Sequence, residues 1–225
     1  FNNFSINNIF QKSTWDPLPS GNGQKLSARI QSNGKAYRSY NFSFTEPWLG
    51  GKKRNSFTVS FFNTKYSNAY DPNTGSYCRS CGDTSFIKTI GVGVSLGKQL
   101  KWPDDYFSLI YAFNLQQYKL RNYSNIFKGI STGTSTNISL KIALARSATQ
   151  GNPIFPTGGS NFMLSGQFTL PYSLMGITGS TDNPYKFPEF HKWRFNGEYY
   201  VPIGIGHGED KSKQFILKAS AKFGF

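Results

Sequence analysis

Apolar and polar residues alternate with a period of two along the stretch from Thr136 to Leu170. Such a period places successive side chains on opposite faces of a β-strand. The connection in the middle, residues 151–159, is rich in Gly, Asn and Pro, which favour chain reversal. The stretch therefore predicts a β-hairpin with about ten residues in each arm and one apolar face. The apolar positions are Ile138, Leu140, Ile142, Leu144, Phe162, Leu164, Phe168 and Leu170.

The same alternation returns along most of the chain and predicts about nine full strands plus a short stub at residues 1–5, joined as consecutive hairpins. Asn33-Gly34 is a strong signal for a tight hairpin turn. Between Phe107 and Leu120 the apolar residues change from odd to even positions, which predicts a β-bulge near Gln116 and Gln117. No stretch shows a competing helical period.

Two all-β architectures fit this pattern, a soluble sandwich and a membrane barrel. Several strands reach about ten residues, the length that a tilted strand needs to cross a bilayer. Charged residues also lie in the middle of predicted strands on the polar face, where a wet lumen accepts them more readily than a sandwich core. The sequence predicts an antiparallel, up-and-down transmembrane β-barrel, here partial. The charged residues are Lys141, Arg194, Glu198, Lys218 and Lys222.

Composition narrows the function classes. The 25 Lys and Arg outweigh the 11 Asp and Glu, a balance that favours nucleic acid or an anionic membrane surface. The basic residues are scattered through turns and polar strand positions, so we predict no nucleic-acid partner. Aromatic residues form 17% of the chain, and amphipathic rings favour membrane interfaces. The mean hydropathy of −0.45 and the lack of long apolar runs predict no transmembrane helix.

Both ends of the chain continue the strand pattern, so residues 1–225 are interpreted as an internal piece of a single β-barrel domain. The two cysteines, Cys78 and Cys81, have a spacing that fits half a zinc site, a redox pair or a local disulfide. A disulfide in an exposed loop is the interpretation that we favour for an oxidising compartment, with two reduced thiols as the alternative.

Catalytic chemistry finds no support in the sequence. His191 and His207 are isolated, and no nucleophile motif is present. The carboxylates at 104–105 and 209–210 lie in predicted turns rather than as a placed acid and base. We predict neither an enzyme nor a cofactor or metal site.

Two turn motifs carry a family resemblance. The first is Phe44-Thr45-Glu46-Pro47-Trp48-Leu49-Gly50-Gly51, in which an aromatic strand end leads into a Thr-Glu-Pro-Trp turn. The second runs from Asn152 to Ser160 and reads Asn-Pro-Ile-Phe-Pro-Thr-Gly-Gly-Ser. Together with the strand end at 199–203, they resemble the BamA-type outer-membrane assembly factors of Gram-negative bacteria. The matching site residues are Glu46, Pro47, Trp48, Gly50, Asn152, Pro153, Phe155, Pro156, Thr157 and Gly158.

The resemblance implies a sixteen-stranded barrel, of which this chain spans from the end of the second strand to about the eleventh. It also implies an integral protein of the Gram-negative outer membrane that folds and inserts other β-barrel proteins. Its expected partners are nascent outer-membrane β-barrel proteins, accessory lipoproteins of an assembly complex, and outer-membrane lipid. The matched turns would face the periplasm, and the longer loops, with Cys78 and Cys81, would face outside.

Other interpretations stay open at this point. They are a translocation or secretion transporter of the same superfamily, a passive porin-like channel, and a soluble β-sandwich module. The matched turns either dock periplasmic domains or fix strand register as rigid turns. The basic run at 52–54 either contacts lipid headgroups or is a solvated charge run. Trp48, Trp102 and Trp193 are expected to anchor the membrane boundary.

Overall fold

The alternating stretches fold into nine β-strands in a computed structural model. It describes residues 1–51, 55–68, 76, 78, 84–123, 131–152, 154–177, 183, 185–203 and 215–225. Two single-turn 3₁₀ helices, Lys12–Thr14 and Leu49–Gly51, complete the regular structure. The strands are β1 (Lys25–Asn33), β2 (Tyr37–Glu46), β3 (Asn55–Ser67), β4 (Phe86–Gln99), β5 (Phe107–Arg121), β6 (Gly133–Gly151), β7 (Pro156–Thr169), β8 (His191–Ile203) and β9 (Phe215–Gly224).

All nine strands belong to one sheet, and their spatial order is their order in the sequence. The antiparallel register sets Ala28 opposite Phe42 and Phe42 opposite Phe61. The Asn33-Gly34 turn is confirmed, because Gly34 adopts a positive φ of 55° and the Ala36 N–H donates to the Asn33 carbonyl. The predicted all-β, up-and-down architecture is therefore confirmed for the described strands.

Strand length agrees with the membrane interpretation. The strands range from 9 residues in β1 to 19 in β6. A tilted strand needs about 9–11 residues to cross the hydrocarbon core of a bilayer. No helix in the described part of the chain has the length and apolar character that crossing a membrane requires.

The chain divides into two units. The first comprises Phe1–Leu96, Ala112–Leu140 and Thr169–Phe190, and it contains β1 to β3. The second comprises Gly97–Tyr111, Lys141–Phe168 and His191–Phe225, and it contains β8 and β9. That residues 1–225 form part of one barrel domain stays a prediction.

Burial is inverted relative to a soluble protein in each unit. In the first unit Ser39 is 2% exposed, whereas Phe42 is 48% exposed. In the second unit Ser165 is 5% exposed, whereas Leu164 beside it is 43% exposed. Soluble proteins rarely expose contiguous apolar surface, which marks contact with a membrane or another protein. Within each unit we call the side that carries exposed apolar side chains the apolar face, with Phe42 in the first unit and Leu164 in the second. The other side is the polar face, with Ser39 in the first unit and Ser165 in the second.

Glycines on the polar face make room for neighbouring side chains. Gly91 in β4 lies against the Phe62 ring, and a Cβ there would also come within 3.0 Å of the Leu115 carbonyl oxygen. At Gly93 a Cβ would lie 2.8 Å from the Ser60 hydroxyl. Side chains at these two positions would displace their neighbours, so the run of glycines that alternates with valines in β4 has a packing cause.

The predicted bulge in β5 is wrong. Exposure alternates without a break from Tyr111 to Arg121, so no change of parity occurs. Tyr118 lies on the polar face, where its hydroxyl donates to Gln116 Oε1 at 2.9 Å. Leu120, also on that face, is buried. From Tyr118 onward the apolar residues of β5 lie on the polar face, but the strand itself continues without a bulge. The stub at residues 1–5 also differs from its prediction, since Phe4 makes only isolated bridges with Ser20 and Gln24.

An arginine introduced on the apolar face tests whether that face contacts lipid or water. We expect Leu140→Arg to lower the free energy of unfolding by about 2–4 kcal/mol in lipid vesicles, because the guanidinium enters hydrocarbon. At an exposed site of a soluble protein the same change alters stability by no more than about 0.5 kcal/mol. Lys141→Arg on the polar face is the matched control and should be neutral. Equal unfolding curves for both variants would contradict the assignment.

Candidate functional site

The first matched turn is organised by a single carboxylate. Glu46 is the last residue of β2, and its Oε1 accepts the Trp48 N–H at 3.1 Å. Its Oε2 accepts the Gln24 side-chain N–H at 2.6 Å. Gly50 and Gly51 follow with φ of 74° and 69°, values that favour glycine. Pro47 lies between Glu46 and Trp48 in the turn, and the Trp48 side chain is exposed. The basic run at 52–54 lies outside the described residues.

Gln24 connects this turn to the N-terminal segment. Its side-chain oxygen accepts the Ile6 N–H at 2.8 Å, and its backbone exchanges two hydrogen bonds with Phe4. Gln24 is itself buried, so these bonds satisfy a polar side chain that has lost its water. The Phe4 ring meets Phe44 edge-on with 6.2 Å between centroids. Glu46 thus has a structural role, since it holds residues 4–24 against the end of β2.

The second matched turn joins β6 and β7. Asn152 Oδ1 accepts the Ile154 N–H at 2.9 Å, a local bond that closes the turn. Ile154 and Phe155 project from it, and the Phe155 side chain is 76% exposed. Pro156, Thr157 and Gly158 already belong to β7. Pro153 lies outside the described residues.

This turn requires glycine at two positions with a positive φ, Gly151 with φ of 84° and Gly159. Gly159 has φ of 94°, and a Cβ there would collide with the Ala148 carbonyl oxygen. At Gly158, by contrast, a Cβ would make only an ordinary contact with the Gln150 side chain, 3.4 Å away. Sequence analysis included both glycines in the matched motif but named only Gly158 as a site residue. The doubled glycine was the available signal, but it did not show which of the two adopts the left-handed conformation.

An arginine that sequence analysis also missed links this hairpin to the preceding turn. Arg146 shares the parity of Leu144 and Ile142, yet its guanidinium lies 2.9 Å from Asp104 Oδ2 and also donates to the Ser160 hydroxyl. The other oxygen of Asp104 accepts the Tyr106 N–H at 2.9 Å. The pair joins the β4–β5 turn to the β6–β7 hairpin. The signal available in the sequence was a single charged residue at a position where the alternation predicts an apolar one.

The charged residues predicted for the polar face are found there in β8 and β9. Lys218 donates to Glu198 at 2.7 Å, and the Tyr200 hydroxyl donates to the other carboxylate oxygen at 2.9 Å. Glu198 and Lys222 line a cavity of about 400 Å³ with Asn161 and Asn196. This surface carries polar side chains suited to water.

Of the remaining candidates, the structure describes Cys78 and His191. Cys81, His207 and the carboxylates at 209–210 lie outside the described residues, so the pairing of Cys78 with Cys81 stays a prediction. His191 lies beside the Phe225 ring, 5.6 Å between centroids. Within the described ranges, no three or more His, Cys, Asp or Glu residues are grouped to hold a metal ion.

Comparison with known proteins decides the family. Residues 20–225 match the Omp85 superfamily domain. The chain belongs to the Omp85 superfamily. Among solved structures, this Omp85 chain is similar to BamA from Haemophilus ducreyi lacking POTRA domains 1–3, with a TM-score of 0.54 and 22% identity. The match covers 83% of this chain and 33% of that one, so the chain spans about a third of its length. No curated protein sequence matches it.

The two adjacent glycines provide a matched test of the β6–β7 turn. Gly159→Ala forces a Cβ against backbone at a positive φ, so we expect a loss of stability of at least about 1–2 kcal/mol. Gly158→Ala should cost much less stability, because a Cβ at this buried position meets only the flexible Gln150 side chain, 3.4 Å away. Unfolding in urea with the protein in lipid vesicles measures both variants. The turn geometry is wrong if the two behave alike.

Proposed function

We propose that this Omp85 chain is part of a BamA-type assembly factor that folds and inserts β-barrel proteins into the Gram-negative outer membrane. The observation that carries the proposal is the superfamily match over residues 20–225, joined to the BamA-like fold. The exposed apolar face supports an integral membrane location, since lipid tails are a suitable neighbour for Phe42 and Leu164. The proposed location is the outer membrane.

The proposed work requires no cofactor and no covalent step. An unpaired strand edge presents a row of free N–H and C=O groups, which can template the pairing of an incoming strand. Nascent β-barrel proteins are the proposed clients. The seam strands that would supply such an edge in the family are expected outside residues 1–225, so the part described contributes the wall of the barrel and its turns.

The exposed β6–β7 turn is the proposed point of contact for partners on the periplasmic side. Ile154 and Phe155 project there without burial, as an apolar contact would require. Accessory lipoproteins and the periplasmic domains of the same protein are the candidate partners. The first turn suits docking less well, because its carboxylate is already used by Trp48 and Gln24.

A second function has support from the same family match. The Omp85 superfamily assignment fits a translocation or secretion transporter equally well, because the match is at the level of the superfamily. Both functions place the polar face toward water and the apolar face toward lipid. They differ in what passes through or along the barrel.

Depletion of the full-length protein in its own cells tests the assembly function. We expect the folded, membrane-inserted amounts of several unrelated outer-membrane barrels to fall together, because they share one insertion route. The measurement is quantitative proteomics of the outer membrane, with inner-membrane proteins as the internal control. Normal levels of unrelated barrels, with loss of a single secreted protein, would contradict the assembly function and favour the transporter. A wild-type copy must restore the barrels.

A further inference from the structure

A loop precedes β1 in the first unit, and its contacts place it at one face of the sheet. Glu46 has the same parity as Phe42 in β2, so its carboxylate lies on the apolar face. The Gln24 side chain donates to this carboxylate at 2.6 Å and accepts the Ile6 N–H at 2.8 Å. We call residues 5–20 the N-terminal loop. This loop therefore begins on the apolar face and not on the polar one.

Polar groups hold the interior of the N-terminal loop together. The Asn8 side-chain amide donates to the Ser20 carbonyl at 2.7 Å, and the Ser20 hydroxyl donates to the Thr14 carbonyl at 3.0 Å. The Ser5 N–H donates to the Pro19 carbonyl at 2.9 Å, and Ser5 itself is fully buried. These bonds join the two ends of the loop and fix its shape.

Large apolar side chains lie on the outside of the N-terminal loop. Backbone bonds between residues three apart, such as the bond from the Ile9 N–H to the Ile6 carbonyl, wind the chain through consecutive turns. Side chains three or four positions apart share one side of such a winding, which groups Ile6, Ile9 and Phe10. The Phe10 side chain is 95% exposed, and those of Ile6, Ile9 and Trp15 are exposed as well.

This arrangement repeats the inversion of the neighbouring strands. A loop surrounded by water turns its amides and hydroxyls outward more often than its Ile and Phe side chains. The N-terminal loop instead holds Ser5 and Asn8 inside, as β2 holds Ser39. Its apolar side thus continues the apolar face of a transmembrane sheet, at the end of the strands where hydrocarbon meets headgroups. Aromatic rings beside charged side chains suit that boundary, and Lys12 and Asp16 are exposed near them.

We propose that the N-terminal loop inserts into the membrane boundary and lies among the phospholipids of the inner leaflet. Lipid is the partner because the loop continues a face that borders lipid in a transmembrane barrel. The inserted loop sets the depth of β1 and β2 in the bilayer, since Gln24 and Glu46 connect it to both strands. The choice of leaflet rests on the proposed function, in which this end of the strands faces the periplasm. The inserted residues are Ile6, Ile9, Phe10 and Trp15.

Photo-crosslinking at position 10 identifies what contacts the loop. The variant is Phe10→p-benzoylphenylalanine in the full-length protein, and outer membranes isolated from cells that produce it are illuminated. We expect phospholipid adducts at a yield within about threefold of the same substitution at Phe42, because both side chains border lipid. Mass spectrometry of the labelled peptide measures the adducts, and heat-modified gel mobility confirms a folded barrel.

Lys25 is the matched control, since it lies at the same end of the sheet but on the polar face, directly opposite Thr45. Its side chain is exposed there, so the same substitution at Lys25 should give at least about tenfold fewer lipid adducts. Equal lipid adducts at positions 10 and 25 would overturn the proposal.

The identity of the adduct at position 10 decides between the possible neighbours. Lipid adducts at position 42 with protein adducts, outer-leaflet glycolipid adducts or none at position 10 would overturn the proposal and leave the bilayer assignment standing. Absence of lipid adducts at both positions would overturn the proposal and the bilayer assignment together. Because this assay does not involve clients, its failure leaves the assembly test by depletion untouched, and a failure of depletion leaves a phospholipid adduct at position 10 standing.

Discussion

The exposure of large apolar side chains on one face of the sheet is the constraint on which the rest of the structure depends. Leaving a Leu or Phe side chain in water instead of burying it costs about 1.5–3 kcal/mol. Such residues recur along the apolar faces of both units, while several buried positions opposite them are small and polar, such as Ser39 and Ser165. A chain with this arrangement requires an apolar neighbour, either lipid hydrocarbon or another protein. Hydrogen-bonded strands also meet the requirement that backbone groups in lipid be satisfied within the protein.

One charged residue on the apolar face of the second unit has its counterion within the protein. Arg146, beside the β6–β7 turn, is neutralised by Asp104 and covered in part by the Tyr106 and Phe107 rings.

Sequence alone was sufficient for the strands and for the division of their faces, because a period of two reports directly on side-chain direction. Sequence alone was insufficient where the polar face also carries apolar side chains. Tyr118 and Leu120 are largely apolar residues that lie on the polar face. The Tyr118 hydroxyl donates a hydrogen bond to Gln116, and Leu120 is buried. The parity of apolar residues therefore suggested a bulge that is not there.

The alternation of apolar and polar residues also could not predict interactions between distant parts of the chain. The Glu46 carboxylate was selected for its motif, but its role depends on Gln24, which is 22 residues away. Arg146 acquires its role from Asp104, which is 42 residues away. The choice between Gly158 and Gly159 depended on which residue opposes the Ala148 carbonyl. Local alternation contains no information about any of these partners.

The direction of the two faces is the central claim, and adjacent labels in β7 test it most directly. A fluorophore attached at a cysteine replacing Leu164 should be quenched by bromine on lipid acyl chains and protected from aqueous iodide. The same fluorophore at position 165, in place of Ser165, should respond in the opposite way. Quenching by iodide at both positions, or by brominated lipid at 165 alone, would contradict the account.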